Sequence, residues 1–395
     1  MKRLEAALSA LEDIAAASTD DKQLLIVTKC RALIGGYHAK WRDTPYQVDA
    51  VECLVMSDLW NPETQRKSRS FRMAGLLDVT GYAGRRVIFD HKTTSEDITD
   101  PAAPYWRQLV IEGQVNHYSL LEWLNGRKVD ECVWDVMRKP SISPRKLESK
   151  KETTDTLASG RYYGRPLSNH SLAYLRESGR ESHEMYEARL FTDCTAVRPE
   201  WYFQRRTTPR LDAEIHEYAM ELWGHSQDIL IARRENRWPR NSGACMLYKS
   251  PCNFLGICSG HDTPDSDNWT RKQNVHTELP ILDGSDGRDL LTNSRIRCFQ
   301  TCRRKHFYQY ELGIERQNEE EREALLFGHI WHKALESYFL ASMEVKCQDS
   351  SEVTEVTAKT GENNVNDDAI GSTGSELATA AAITQTVPLG DYREG

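Results

Sequence analysis

The stretch "GLLDVTGYAGRRVIFDHKTT", residues 75–94, puts two carboxylates and a lysine into one expected hairpin: Asp78 in the first apolar run, Asp90 in the second, and Lys92 two positions on. On adjacent strands Asp78 and Asp90 can face one side and bind a hard divalent cation, Mg²⁺ or Mn²⁺, through oxygen. Lys92 is two residues from Asp90 and so shares its face. A lysine there can orient the attacking water or stabilise a phosphoryl oxyanion. That is the chemistry of a metal-dependent phosphodiesterase. A bare D-x-K triplet is more often an exposed ion pair. Here the apolar "VIF" before Asp90 suits a central strand, where a solvated charge is out of place. Glu52, in "VDAVECLV", can add a carboxylate. Gln114 and Tyr118 lie one helical turn apart and can contact a phosphate or the water; plain helix-surface polarity accounts for that pair equally well.

A second constellation is built from cysteine. "CMLYKSPCNFLGIC" supplies Cys245, Cys252 and Cys258, and "RCFQTCRRKHFYQY" supplies Cys298 and Cys302. Four thiolates can hold zinc or an iron–sulfur cluster, and spacing does not choose between them. Cys30, Cys53, Cys132, Cys194 and Cys347 stand singly and read as buried free thiols. Basic and aromatic residues interleave at "YFQRRTTPR" (Arg205, Arg206), at "RKPSISPRKLESKK" and at "CRRKHFYQY" (Arg303, Arg304, Lys305). Such mixtures suit a groove for single-stranded DNA or DNA ends. Each run by itself reads as a solvated face.

The elements that must position these groups follow from periodicity. Residues 1–42 read as helical. "YQVDAVECLVM", "FRMAGLLDVTGY" and "RRVIFDHKT" read as strands, "YWRQLVIEGQVNHYSLLEWLNG" as one helix, and "KVDECVWDVMRKP" as a strand ending at Pro140. That succession indicates an α/β core. Residues 141–185 read as polar and irregular, and a second helix runs through "DAEIHEYAMELWGHSQDILIARREN". These elements predict a core over 1–258, a linker over 259–292, a helical segment over 293–345, and a disordered tail over 346–395.

The chain has 395 residues, 39% apolar and 28% charged, with a net charge of −8 and ten cysteines. These values suit a soluble globular protein. The start reads as an amphipathic helix rather than a signal peptide, so the cysteines suit a reducing, cytoplasmic compartment. No apolar run is long enough for a membrane span. The acidic total does not advertise a nucleic-acid binder, although a local basic groove can coexist with it.

With "GLLD…DHKTT" followed by a helix carrying "GQVNHY", the sequence resembles the PD-(D/E)XK nuclease superfamily, and within it the RecB-like exonuclease branch. The resemblance implies a restriction-endonuclease-like fold, a central mixed β-sheet flanked by helices. It implies that His332 in "FGHIWHKALESYF", Asp78 and Asp90 hold the cation together with the main-chain carbonyl of His91. Lys92 becomes the catalytic lysine, and Gln114 and Tyr118 its supporting helix motif. It also implies a [4Fe–4S] cluster on Cys245, Cys252, Cys258 and Cys302, with Cys298 in reserve and zinc as the weaker alternative.

In that family the "CRRKHFY" and "GHIWH" segments ordinarily precede the hairpin, whereas here they follow it. The chain therefore resembles a circularly permuted nuclease. The C-terminal segment is expected to return to its own core, and exchange with a second copy is the runner-up. The function implied is a metal-dependent DNA exonuclease in recombination, repair or phage DNA processing, in a bacterial or phage-infected cell. The alternative is a catalytically silent DNA-binding module of a recombination or CRISPR-type complex.

Overall fold

The computed structural model describes residues 2–44, 46–247, 250–281, 286–317 and 322–356, with side chains as far as Met343. Two helices, α1 (Lys2–Ala16) and α2 (Asp21–Trp41), lead into three strands, β1 (Gln47–Trp60), β2 (Lys67–Tyr82) and β3 (Arg86–Thr94). Helices α3 (Pro104–Val110) and α4 (Gly113–Leu124) connect to β4 (Glu131–Arg138). An insertion follows: α5 (Lys150–Ser159), the small hairpin β5 (Arg161–Tyr162) and β6 (Arg165–Pro166), then α6 (Asn169–Ser178), α7 (His183–Thr192) and α8 (Pro199–Tyr202). The chain re-enters the sheet as β7 (Phe203–Pro209) and leaves along α9 (Asp212–Glu235). Last come α10 (Leu255–Ser259), β8 (Trp269–Arg271), β9 (Asp289–Leu291), α11 (Asn293–Thr301), α12 (Arg303–His306), β10 (Ile314–Arg316) and α13 (Glu323–Val356).

The central sheet has six strands in the order β1-β2-β3-β4-β7, with β9 paired to β2. Three of its pairings are antiparallel; β3–β4 and β2–β9 are parallel. This is a mixed α/β architecture consistent with a restriction-endonuclease-like fold. One helical layer, α1, α2 and α13, buries Leu33, Tyr37, Trp331 and Tyr338 against Val87, Phe89 and Val133 of the sheet. The other, with α4, α9 and α11, buries Leu121, Leu222 and Ile296 against Phe71, Met73 and Ile88. β3 and β4 are covered on both faces, which is why both read as nearly continuous apolar runs.

Three expectations change. The helix expected across residues 105–126 is broken between Val110 and Gly113. β-branched Val110 and Ile111, 55% and 82% exposed, end α3, and the chain turns before α4 begins. Residues 141–185 are not irregular. Ser149, Ser168 and Ser182 cap α5, α6 and α7, and left-handed Gly160 and Gly179 close α5 and α6. These helices enclose a small core of Leu147, Tyr162, Leu175 and Met185. The stretch 259–292, expected as a linker, carries β8, which pairs with β10, and β9, which joins the central sheet. A three-residue strand is too short to show a period-2 pattern. Of the expected tail, residues up to Val356 continue α13, and 357–395 lie outside the described residues.

Both β3 and β9 lie on the same edge of β2: β3 pairs with Val79–Tyr82 and β9 with Phe71–Met73. Between them, Ala74–Asp78 carry no strand on that side. This gap in the sheet positions the site.

Candidate metal centre

The gap opens into a cavity of about 700 Å³. Its walls include Ala74, Gly75, Leu76 and Asp78 of β2, Glu52 of β1, Gln114 and Tyr118 of α4, and Gly328, His332 and Glu336 of α13. The register Val51↔Val79 and Cys53↔Leu77 sets Glu52 opposite Asp78. Glu52 has φ 46°, a left-handed conformation that costs a non-glycine residue on the order of 1 kcal/mol and recurs at functional sites. Ligand-capable atoms of Glu52, Asp78 and His332 lie within 4.8 Å of one another. Burial, and then the charges of Asp78 and Glu336, push the Glu52 carboxyl up to about 7. Burial lowers the His332 pKa and favours the neutral imidazole that a metal requires.

Asp90 is not in that group. The ladder between β2 and β3 ends at Val79↔Phe89, so the strands part where Asp78 and Asp90 would be opposite. Asp90 is 1% exposed, and Lys92 Nζ lies 2.6 Å from its Oδ2. Apart from this ion pair, neither Asp90 oxygen has a hydrogen-bond partner among the described residues. Burial and the nearby Asp78 raise its pKa against the pull of Lys92. Lys92 also donates to Gln114 Oε1 at 2.8 Å, and Gln114 Nε2 donates to Tyr118 Oη at 2.8 Å. Burial alone would lower the Lys92 pKa, but Asp90 and Asp78 more than offset it, so the ammonium stays charged.

Carboxylates crowd here, Asp90 buried with Lys92 as its one charged partner and Glu52 with its pKa pushed up by burial. That donor set, oxygen-rich with a neutral imidazole, fits a hard divalent cation.

His91 splits its roles. Its main-chain N–H donates to Asp78 Oδ2 at 2.7 Å, and its main chain hydrogen-bonds the His332 ring. Its side chain points the other way, to Asp135 at 3.1 Å and onto the ring of Phe339. Sequence reading missed Glu336, which stands four residues after His332 and so shares its helix face; that spacing was the available signal.

Cys245, Cys252, Cys258 and Cys302 line one small pocket with Arg240 and Lys305. Burial, and then the neighbouring thiols Cys252, Cys302 and Cys245, raise the Cys258 pKa. The Asn241 N–H donates to Cys302 Sγ at 3.4 Å. Cys298 does not line the pocket; it is buried, with its thiol toward Gln309. Among the described residues no three of these sulfurs lie within 4.8 Å of one another.

The basic residues fare differently. Arg205 is corrected: its side chain is 9% exposed and ion-paired to Asp135, so it is not available to a phosphate. An isolated Arg in a strand cannot reveal a buried carboxylate on the next strand. Arg206 stacks over Trp106 and donates to Pro101 O. Arg303 pairs with Asp228 at 2.7 Å, and Arg304 donates to Trp238 O at 2.6 Å. Lys305 is at the cysteine pocket. Among the described residues no helix is long and apolar enough to cross a membrane.

Comparison with known proteins gives one similarity. No curated protein and no solved structure matches the chain. A family model described as the PD-(D/E)XK nuclease superfamily matches residues 291–386. That stretch contains Cys302 and His332 but not the earlier hairpin with Asp78, Asp90 and Lys92; Asp78 lines the same cavity as His332. The similarity supports the PD-(D/E)XK superfamily, whose members suggest a nuclease acting on phosphodiester bonds.

Proposed function

We propose that this protein is a metal-dependent DNA exonuclease of the RecB-like type, its chain order circularly permuted, acting in recombination, repair or phage DNA processing. The observation that carries this reading is the meeting of Glu52, Asp78 and His332 within 4.8 Å in the wall of the cavity, beside a buried Asp90–Lys92 ion pair on the neighbouring strand. Glu52, Asp78, His332 and the main-chain carbonyl of His91 would hold the cation, with Asp90 as a further candidate ligand. Once bound, Mg²⁺ or Mn²⁺ supplies Lewis acidity and offsets the charge of the scissile phosphate. Lys92, charged and held by Asp90 and Gln114, orients the attacking water and meets the developing oxyanion. Gln114 and Tyr118 keep that ammonium aimed.

Cys245, Cys252, Cys258 and Cys302 would hold a [4Fe–4S] cluster whose role is to clamp the end of the nuclease core. Arg303, Arg304 and Lys305 flank it as candidate DNA contacts.

The test is cleavage of end-labelled single- and double-stranded DNA by anaerobically purified protein in Mg²⁺, Mn²⁺ or EDTA, beside Asp90→Ala and His332→Ala. Metal-dependent cleavage lost in both variants supports the site. Cleavage lost only in Asp90→Ala removes His332 as a ligand. Bound but uncut DNA under every condition favours a silent DNA-binding module instead. Absorbance near 400 nm that disappears in Cys302→Ala and survives in Cys298→Ala supports the cluster and its ligand set.

A further inference from the structure

On the face of β3 turned away from Asp90 and Lys92, a row of charged and polar groups crosses three strands. His91 of β3 stands opposite Asp135 of β4, and Asp135 stands opposite Arg205 of β7. His91 Nδ1 lies 3.1 Å from Asp135 Oδ2, and Arg205 Nε donates to Asp135 Oδ1 at 2.9 Å. Tyr37 of α2 donates to Asp135 Oδ2 at 2.5 Å and accepts from Arg205 Nη2 at 2.7 Å. The side chains of His91 and Asp135 are each 3% exposed.

Buried ionic groups of this kind are poor stabilisers, because desolvation cancels most of their attraction. Their best-attested use is to specify register. β3 and β4 need such a device. Both are buried on both faces, so apolar patterning does not tell one alignment from a neighbouring one. A slip by one residue would turn Asp90 and Lys92 to the wrong face, and a slip by two would carry them about 7 Å along the strand. Either slip would also part His91 from Asp135, the one link of the row between β3 and β4, and leave the buried imidazole without its carboxylate.

We infer that His91, Asp135, Arg205 and Tyr37 form a register lock that positions the catalytic strand. They act through the His91 peptide, whose N–H holds Asp78 and whose main chain meets His332. Asp135 is thus a positioning residue, remote from the substrate. The inference rests on the nuclease reading for its catalytic consequence, and on geometry alone for the lock itself.

The test uses the full chain with Asp135→Asn, Asp135→Glu, Tyr37→Phe and Asp78→Ala. Three quantities are read: Mn²⁺ affinity by calorimetry without DNA, kcat and KM at saturating Mn²⁺, and hydrogen exchange of the β3 amides. Asp135→Asn should weaken Mn²⁺ binding and lower kcat by roughly tenfold or more each, with KM for DNA unchanged. Exchange should rise at residues 90–93 ahead of the rest of the sheet. Asp135→Glu should recover part of both losses. Should Asp135→Asn not fold, Tyr37→Phe carries the test, with smaller changes in the same directions. Mn²⁺ affinity, kcat and local exchange all within twofold of the unsubstituted protein would overturn the lock. So would a uniform rise in exchange across β3 and β4. If Asp78→Ala binds Mn²⁺ normally, the nuclease reading fails, and the exchange pattern still decides the lock, since it needs no cation.

Discussion

At the scale of single residues, charge state decides what each group can do. Lys92 stays protonated because Asp90 and Asp78 outweigh its burial, so in the proposed nuclease it would serve as an electrostatic and orienting group and not as a base. Lys92→Ala should lower kcat by roughly 10²–10³ while leaving Mn²⁺ affinity within a few-fold. Kinetics and calorimetry on one preparation check this, and an equal loss of both would assign Lys92 to cation binding. His117 shows the opposite balance. It is fully buried, Nε2 facing the carbonyl of Ala74 and Nδ1 facing Tyr218 Oη, both at 3.0 Å. A carbonyl only accepts, so Nε2 carries the proton and Nδ1 accepts from the tyrosine. Burial lowers its pKa to about 4, so in the folded protein it resists a proton that the unfolded chain takes up near 6.5. The resulting stability is full above pH 6.5 and is lost as pH falls toward 4, by up to about 3 kcal/mol. Denaturant melts from pH 7 to 4.5 should show a smaller acid loss in His117→Gln than in the unsubstituted protein.

At the scale of elements, the site depends on how closely α4 approaches β2. Gly75 permits that approach: a Cβ there would come within 2.8 Å of a Tyr118 ring carbon and 3.0 Å of Leu121 Cδ1. Tyr118 holds Gln114, and Gln114 holds Lys92. Gly75→Ala should therefore destabilise the fold by about 1–3 kcal/mol, the usual cost of overpacking, and should lower kcat as well. A melt and a kinetic assay read the two effects. An unchanged Tm would mean that α4 moves aside without strain. The sequence shows a glycine in a strand, a sign of a close backbone approach, but not the ring that makes the approach.

At the scale of the molecule, α13 returns across almost the whole length of the chain to close the site. Phe327, Ile330, Trp331, Ala334, Leu335 and Tyr338 are all at most 4% exposed, packed against α2 and the sheet. Tyr37 meets both Trp331 and Tyr338 edge to face. The same helix presents His332 to Asp78. Trp331→Ala should cost about 3–5 kcal/mol and weaken Mn²⁺ binding, since it loosens the neighbour of His332, a proposed ligand. Chemical denaturation and calorimetry test both. Full stability would mean that α13 adds little to the core.

Much of the site was legible in the sequence because its signals are local. Alternation along β3 puts Asp90 and Lys92 on one face, apolar runs mark the strands, and one helical turn links Gln114 to Tyr118. The serine caps and closing glycines of the 141–185 insertion were also local, and were passed over because its helices are short and polar. Other features depended on contacts between distant segments. Only the tertiary structure decided that Glu52 stands opposite Asp78 in a left-handed conformation, and that Asp90 is buried outside the Glu52–Asp78–His332 group. It also assigned Arg205 to Asp135, placed Cys302 in the cysteine pocket while burying Cys298 elsewhere, and set β9 on the edge of β2. A side chain's type and spacing are written along the chain, whereas its burial and its partner are set by segments tens to hundreds of residues away.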